Sequence, residues 1–211
     1  MSTEPGAGQI PSFSRNWLLK QHATVLPAPV GNPDKIALFT LIVALLGWAA
    51  LPDSQLVGYL LLLGSALNLW RLYRWRGIST AKEPLLLILH IGYGWTIVGT
   101  FLLGLSVLVN TVPTTAAVHA LTVGAIGTMI LAVMSRATRG HTGQPLIADG
   151  PTRLMYVLVT LASFARISAA FSANWATTLI YLSAGFWCAA FATFAVSYGP
   201  ILLSQKRQIG G

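Results

Sequence analysis

Histidine is the residue in this sequence whose positions best suit transition-metal chemistry. Of the four histidines, His90 lies two turns into an apolar run, His119 opens the next such run, and His141 stands in a polar segment further on. A neutral imidazole is the commonest protein ligand for a metal ion. A buried histidine that only forms hydrogen bonds gives the same pattern, and His141 also fits an ordinary exposed residue. The sequence therefore offers three candidate metal ligands and leaves these alternatives open.

Arg166 is the one basic residue that falls in the middle of an apolar run. A charge at the centre of a bilayer costs about 2.5–3.5 kcal/mol on insertion scales, so such a residue usually faces a cavity or a partner. No Asp or Glu lies within the apolar runs. The partner would then be a backbone carbonyl, water, or the acidic group of a cofactor such as a haem propionate. The alternative is that the guanidinium snorkels to the nearer membrane surface.

Several classes of protein are excluded. The single cysteine, Cys188, rules out a disulfide framework and a CxxC metal site. The formal net charge of +8 comes from basic residues at the ends of apolar runs, which indicates membrane orientation and not nucleic-acid binding. We find no activated nucleophile, carboxylate pair or electron-entry motif, so the sequence assigns no enzymatic reaction.

The elements that carry these residues are transmembrane helices. Hydrophobic residues make up 55% of the 211 residues and charged residues only 9%, and the mean hydropathy is +0.68. A soluble domain carries roughly 25% charged residues, and a helix needs about 20 apolar residues to span a membrane. The sequence predicts an all-α integral membrane protein, a bundle of about six transmembrane helices over residues 36–50, 55–73, 84–109, 115–135, 151–171 and 175–203. A polar loop is predicted over residues 136–150.

Charge predicts the orientation of this bundle. Twelve of the 13 Lys and Arg residues fall on one side of the six spans. The positive-inside rule places that side, and with it both termini, in the cytoplasm. The predicted organisation is an N-terminal cytoplasmic lead-in over residues 1–34, a transmembrane domain over residues 35–204 and a cytoplasmic tail over residues 205–211. Within the lead-in, a short amphipathic turn at the membrane interface is predicted from Phe13, Trp17, Leu18 and Leu19.

Depth in the membrane limits how the histidines combine. A helix rises 1.5 Å per residue, which places His90 roughly 9 Å from the cytoplasmic end of its span. His119 lies a similar distance from the outer end of the next span. Their separation along the membrane normal is then on the order of 15–20 Å, too far for both to ligate one haem iron. If both bind metal, we therefore predict two sites, one near His90 and His141 on the cytoplasmic side and another near His119 and Arg166 on the outer side.

Three segments resemble the NnrS family. They are residues 13–17 (FSRNW), residues 89–95 (LHIGYGW) and the long run over residues 119–146 (HALTVGAIGTMILAVMSRATRGHTGQPL). The resemblance implies a bacterial inner-membrane protein that contains haem b and copper and takes part in nitric oxide metabolism, resistance to nitrosative stress or denitrification. It implies that His90, Tyr93 and Arg166 contact a cofactor, that His90, His119 and His141 bind metal, and that nitric oxide is the small-molecule ligand.

The number of spans departs from this resemblance. Family members have about twice as many, and this chain resembles only their C-terminal half. A homodimer or a partner subunit would then supply the missing half of a shared site. Two other functions stay open at this point: a transport component for copper or a small solute, and a non-catalytic half-length subunit.

Overall fold

Every regular element is a helix within residues 9–109 and 111–208, which the computed structural model describes. Six segments are long and apolar enough to cross a membrane: Asn32–Ala50 (α2), Gln55–Arg74 (α3), Pro84–Leu108 (α4), Thr114–His141, Gly150–Phe171 (α7) and Ala176–Leu203. The fourth segment consists of α5 (Thr114–His119), a π-helical segment (Ala120–Ile126) and α6 (Gly127–His141), and the sixth lies in α8 (Ala176–Gln208). A further helix, α1 (Gln9–Lys20), precedes them. The predicted all-helical class and the six spans are confirmed.

An acidic residue stands in the first turn of one span and immediately before two others. The carboxylates of Asp34, Glu83 and Asp149 each accept a hydrogen bond from a backbone N–H at the start of α2, α4 or α7. These contacts satisfy backbone donors that a helix start leaves unpaired, and they place negative charge at the positive end of the helix dipole. A proline in the first turn favours the same boundaries, at Pro33, Pro84 and Pro151. These local features of the sequence therefore determine where the three helices begin.

One end of the bundle collects the basic residues, and we refer to it as the basic end. Here α2, α4 and α7 begin and α3, α6 and α8 end. Asp34 at the start of α2 pairs with Arg71 and Arg74 at the end of α3. Arg139 near the end of α6 hydrogen-bonds to Asp149, which precedes α7. The side of the membrane that this end faces remains a prediction.

Three buried clusters hold the described helices together, the smallest of them formed by Trp95, Ala120 and Ala125. The larger cluster joins α4, α6, α7 and α8, and a second one joins α2, α3, α4 and α5 through Ala44, Val57, Leu61, Leu103 and Ala117. Large apolar side chains also cover the outside of the bundle, among them Phe39, Leu46, Leu63, Phe164 and Val196. An outward apolar surface of this extent fits a lipid environment and not water.

The polar loop predicted over residues 136–150 is wrong in its first part, because α6 continues to His141. Arg139 explains the extension: its side chain is buried and donates to the Tyr198 hydroxyl at 3.1 Å and to Asp149. Basic side chains in the last turn of a helix also interact favourably with its carbonyl end. His141 is therefore the last residue of a helix instead of a loop residue.

The short turn predicted at the N-terminus is a helix of 12 residues, α1, which docks on the basic end of the bundle. Phe13 and Trp17 are half-buried and pack against the larger cluster. Leu18 is buried, whereas Leu19 is exposed. Some apolar side chains of α1 therefore pack against the bundle, and others lie on the outer surface.

Candidate metal and cofactor sites

His90 lies in an enclosed site near the basic end. Its Nδ1 is 2.9 Å from the Leu86 carbonyl oxygen, and its Nε2 is 3.3 Å from Ser14 Oγ on α1. Because Nδ1 faces a carbonyl, it carries the proton, and Nε2 presents its lone pair to the Ser14 hydroxyl. The side chain is only 5% exposed. Both ring nitrogens therefore already have a protein partner.

The surroundings of His90 leave no space for a macrocycle. The backbone at Gly77 lies so close that an added Cβ would stand 2.5 Å from His90 Cδ2. The Trp75 ring covers another side, with its centroid 6.3 Å from that of the imidazole. A haem bound through Nε2 would have to displace Ser14 and separate these groups. The residues around His90 do not fit a haem in this arrangement.

Tyr93 belongs to a buried ionic network. Its hydroxyl accepts a hydrogen bond from Arg71 Nη1 at 2.8 Å and donates one to the Asn68 side-chain oxygen. Arg71 Nε also donates to Asp34 at 3.0 Å, and its guanidinium lies 4.6 Å from the centre of the Trp75 ring. Tyr93 therefore links α4 to the charged residues of α2 and α3.

Sequence reasoning missed three members of this network: Asp34, Asn68 and Arg71. Asp34 is only 2% exposed, Asn68 is 1% exposed, and Arg71 is buried beside them. Asn68 also donates to the backbone carbonyls of Ala37 and Gly64, at 3.0 and 2.8 Å. The sequence did offer two signals of this network: an acidic residue at the start of one span, Asp34, and a polar residue inside the next span, Asn68. A buried ion pair of this kind needs such additional hydrogen bonds to offset its desolvation.

His119 lies in a different environment, at a change of helix type. It is the last residue of α5, and the π-helical segment Ala120–Ile126 follows at once. Its side chain is half-buried, and no hydrogen bond joins its ring to any residue that the structure describes. π-Helical segments are rare and are frequently found at functional sites. Among the described residues, none therefore occupies either nitrogen of this imidazole, and both are available to a ligand.

Arg166 on α7 lies close enough to His119 for its charge to act on that imidazole. Arg166 is half-buried as a residue, and among the described residues its guanidinium has neither a carboxylate within ion-pair distance nor a hydrogen-bond acceptor. The depth argument also grouped these two residues away from His90, and a joint site for them remains a prediction. A cation in this position can bind an acidic or strongly polar group.

Trp95 adds an unpaired donor beside the π-helical segment. Its Nε1–H is buried, and the described residues offer it no acceptor. The ring lies against Gly124, where an added Cβ would come within 2.8 Å of Trp95 Cγ, and its centroid is 4.9 Å from that of Phe164 on α7. Buried polar groups without a partner are rare in native proteins. The π-helical segment is therefore bordered by a donor that a ligand could satisfy.

No group of three or more His, Cys, Asp or Glu residues is arranged to hold a metal ion in the described part of the chain. His141 ends α6 with an exposed side chain, whereas His90 is buried. Cys188 is exposed on α8. The arrangement thus supplies single imidazoles in separate environments.

Six apolar helices with charged residues gathered at one end define a multi-pass α-helical membrane protein. The sequence model described as "NnrS protein" matches residues 7–206, which is nearly the whole chain and not only its C-terminal part. The chain belongs to the NnrS family. Comparison with curated proteins and with solved structures finds no match.

Proposed function

We propose that this chain is a bacterial inner-membrane protein of the nitric oxide response that binds a haem or copper centre through His119. The observation that carries the proposal is the half-buried His119 imidazole, which no described residue hydrogen-bonds and which lies within electrostatic range of Arg166. Membership of the NnrS family supports the assignment to nitric oxide. The π-helical segment that follows His119 supports a functional role for this part of the span.

The donor set favours haem over copper. One axial imidazole is sufficient to hold a haem iron, whereas a copper site built by the protein needs several ligands. The described residues contain no group of three such ligands. Bound iron would supply the position at which nitric oxide coordinates. His119 would hold the metal, and the guanidinium of Arg166 would bind an acidic group such as a propionate.

His90, Tyr93 and His141 remain predicted ligands of a second site. His90 would bind metal only after Nε2 lost its contact with Ser14. Tyr93 would have to leave its hydrogen bonds with Arg71 and Asn68. We therefore propose that the His119 site binds its cofactor first and that any site at His90 depends on movement of α1.

The test is an absorption spectrum and metal analysis of detergent-purified protein, after growth with added haem precursor and copper. The wild type is compared with His119→Ala, His90→Ala and Arg166→Gln. The matched control is His22→Asn, because His22 has a left-handed backbone conformation (φ 54°) that asparagine tolerates. We expect a haem band near 410 nm in the wild type, His90→Ala and His22→Asn. We expect its loss in His119→Ala and weaker haem retention in Arg166→Gln.

Two results would contradict this proposal. A haem band that survives His119→Ala but disappears in His90→Ala would move the ligand to the basic end. A correctly folded protein without haem or copper would favour a scaffold subunit. The predicted homodimer or partner subunit is tested separately by the mass of the detergent-solubilised particle, and copper transport by metal flux into proteoliposomes.

A further inference from the structure

A cavity of about 430 Å³ opens at the basic end, between α1, the start of α4, the end of α6 and the segment over residues 142–149. It is separate from the surroundings of His119, and none of the proposed metal ligands lines it. Phe13, Asn16 and Trp17 line it from one side and Arg136 from another. These belong to two of the segments that resemble the NnrS family, and the proposed function gives them no role.

Arg136 is the main feature of this cavity. Its side chain is half-buried, and its guanidinium carbon lies 4.4 Å from the centre of the Phe13 ring. Among the described residues, no carboxylate lies within ion-pair distance of it and no acceptor receives a hydrogen bond from it. Arg71 and Arg139, at the same end of the bundle, both donate to an aspartate. Arg136 therefore presents up to five N–H donors that the described protein does not use.

The remaining lining joins positive charge to apolar surface. Lys20 contributes a second cation, whereas the nearby Glu83 carboxylate already accepts the Leu85 N–H at the start of α4. Trp17 and Leu86 provide apolar walls. Two cations against one carboxylate favour an anion, and the apolar walls favour a ligand that carries a hydrocarbon part.

We propose that this cavity binds the phosphate group of an anionic phospholipid, with Arg136 and Lys20 as the phosphate-binding residues. A guanidinium forms bidentate charge-assisted hydrogen bonds with phosphate. The site lies where three spans begin or end, which is the depth of the head groups, and Trp17 is of the residue type enriched there. One water occupies about 30 Å³, so the cavity has room for a head group and not only for a phosphate ion.

The same chemistry would accept a free phosphate from solution, and the experiment separates the two sources. Delipidated protein in neutral detergent is titrated with phosphatidylglycerol, with zwitterionic phosphatidylcholine, or with inorganic phosphate. Binding is followed by native mass spectrometry and by the thermal unfolding temperature. The variants are Arg136→Gln and Lys20→Gln, and Arg136→Lys retains the charge without the bidentate geometry. Lys35→Gln removes an exposed cation from the same end of the bundle without touching the cavity.

We expect phosphatidylglycerol to bind and stabilise the wild type and Lys35→Gln equally. Its affinity should fall about tenfold or more in Arg136→Gln, since charge-assisted hydrogen bonds are lost, and less in Lys20→Gln and Arg136→Lys. Because Lys20 is exposed, its variant folds even if Arg136→Gln disturbs the contact with Phe13. Equal binding by all variants, or equal binding of phosphatidylcholine, would overturn the site. Full stabilisation by inorganic phosphate alone would overturn the lipid as its source.

Discussion

Ser14 Oγ lies 3.3 Å from His90 Nε2, so a helix at the start of the chain contacts the most deeply buried histidine of the bundle. The contact joins residues 76 positions apart and gives Nε2 its partner. The Ser14 hydroxyl also lies 3.0 Å from the Ile10 carbonyl oxygen. Its single proton is therefore shared between a bond within α1 and the bond that connects α1 to α4.

Replacing Ser14 by alanine should destabilise the docking of α1. The change leaves Nε2 of a buried histidine without its partner, which costs about 1–3 kcal/mol. Thermal unfolding in detergent measures this loss. Ser106→Ala is the matched control, because the Ser106 hydroxyl donates only to the Leu103 carbonyl of its own helix. Equal unfolding temperatures for the two variants would show that the contact with His90 contributes no stability.

Gly77→Ala should shift or destabilise the turn that covers His90. The new Cβ would stand 2.5 Å from His90 Cδ2, and overpacking of this kind typically costs about 1–3 kcal/mol. Gly140→Ala tests the same substitution in open space, since no atom lies within 4 Å of its added Cβ. We expect Gly140→Ala to be neutral or stabilising, because alanine has the higher helix propensity. A Gly77→Ala protein as stable as the wild type would contradict the enclosed site at His90.

Asp34→Asn should be among the most damaging single changes at the basic end. It leaves two arginines, Arg71 and Arg74, without their carboxylate, and breaking a buried pair costs about 3–5 kcal/mol. Asp53→Asn, in an exposed turn at the opposite end, should change stability by no more than about 0.5 kcal/mol. The free energies of unfolding of the two variants are measured in mixed detergent micelles and compared. Similar effects would mean that Asp34 is not the buried anchor described above.

Asp149 should make stability depend on pH. Partial burial, the largest single effect, raises the pKa of its carboxyl, but hydrogen bonds from Thr152 and from Arg139 together lower it below the ordinary value. A carboxyl whose folded pKa is lowered stabilises the protein above its unfolded pKa, about 4, and this contribution disappears as the pH falls through the folded pKa. The stability difference between wild type and Asp149→Asn should therefore shrink on acidification from pH 7 to 3. A difference that stays constant over this range would contradict the linkage.

The predicted orientation can be read from cysteine labelling of intact cells. In a Cys188→Ser background, a membrane-impermeant maleimide should label Asp53→Cys but not Ser79→Cys, since Ser79 lies at the basic end between α3 and α4. The positive-inside rule predicts this result. Labelling of Ser79→Cys alone would place the basic end outside the cytoplasm.

The sequence by itself determined the class of the protein and the positions of its spans. Long apolar runs must become helices in a membrane, because backbone groups in hydrocarbon have to satisfy one another. The predicted spans over residues 84–109 and 151–171 match α4 and α7 to within one residue at each end, and the charge pattern marked one end of the bundle. These signals are local, so they can be recognised without knowing which helices touch.

Only the tertiary structure decided which polar residues meet. Asp34 and Arg71 are 37 positions apart, and Ser14 and His90 are 76 apart, and no local pattern links such residues. The end of α6 was also misjudged, because Arg139 is held by Tyr198, 59 positions later. Hydrogen bonds and ion pairs across helices depend on rotation and depth in the bundle, which packing sets and hydropathy does not. That is why the sequence could separate His90 from His119 by depth, whereas only the fold shows that Ser14 and Leu86 occupy both ring nitrogens of His90.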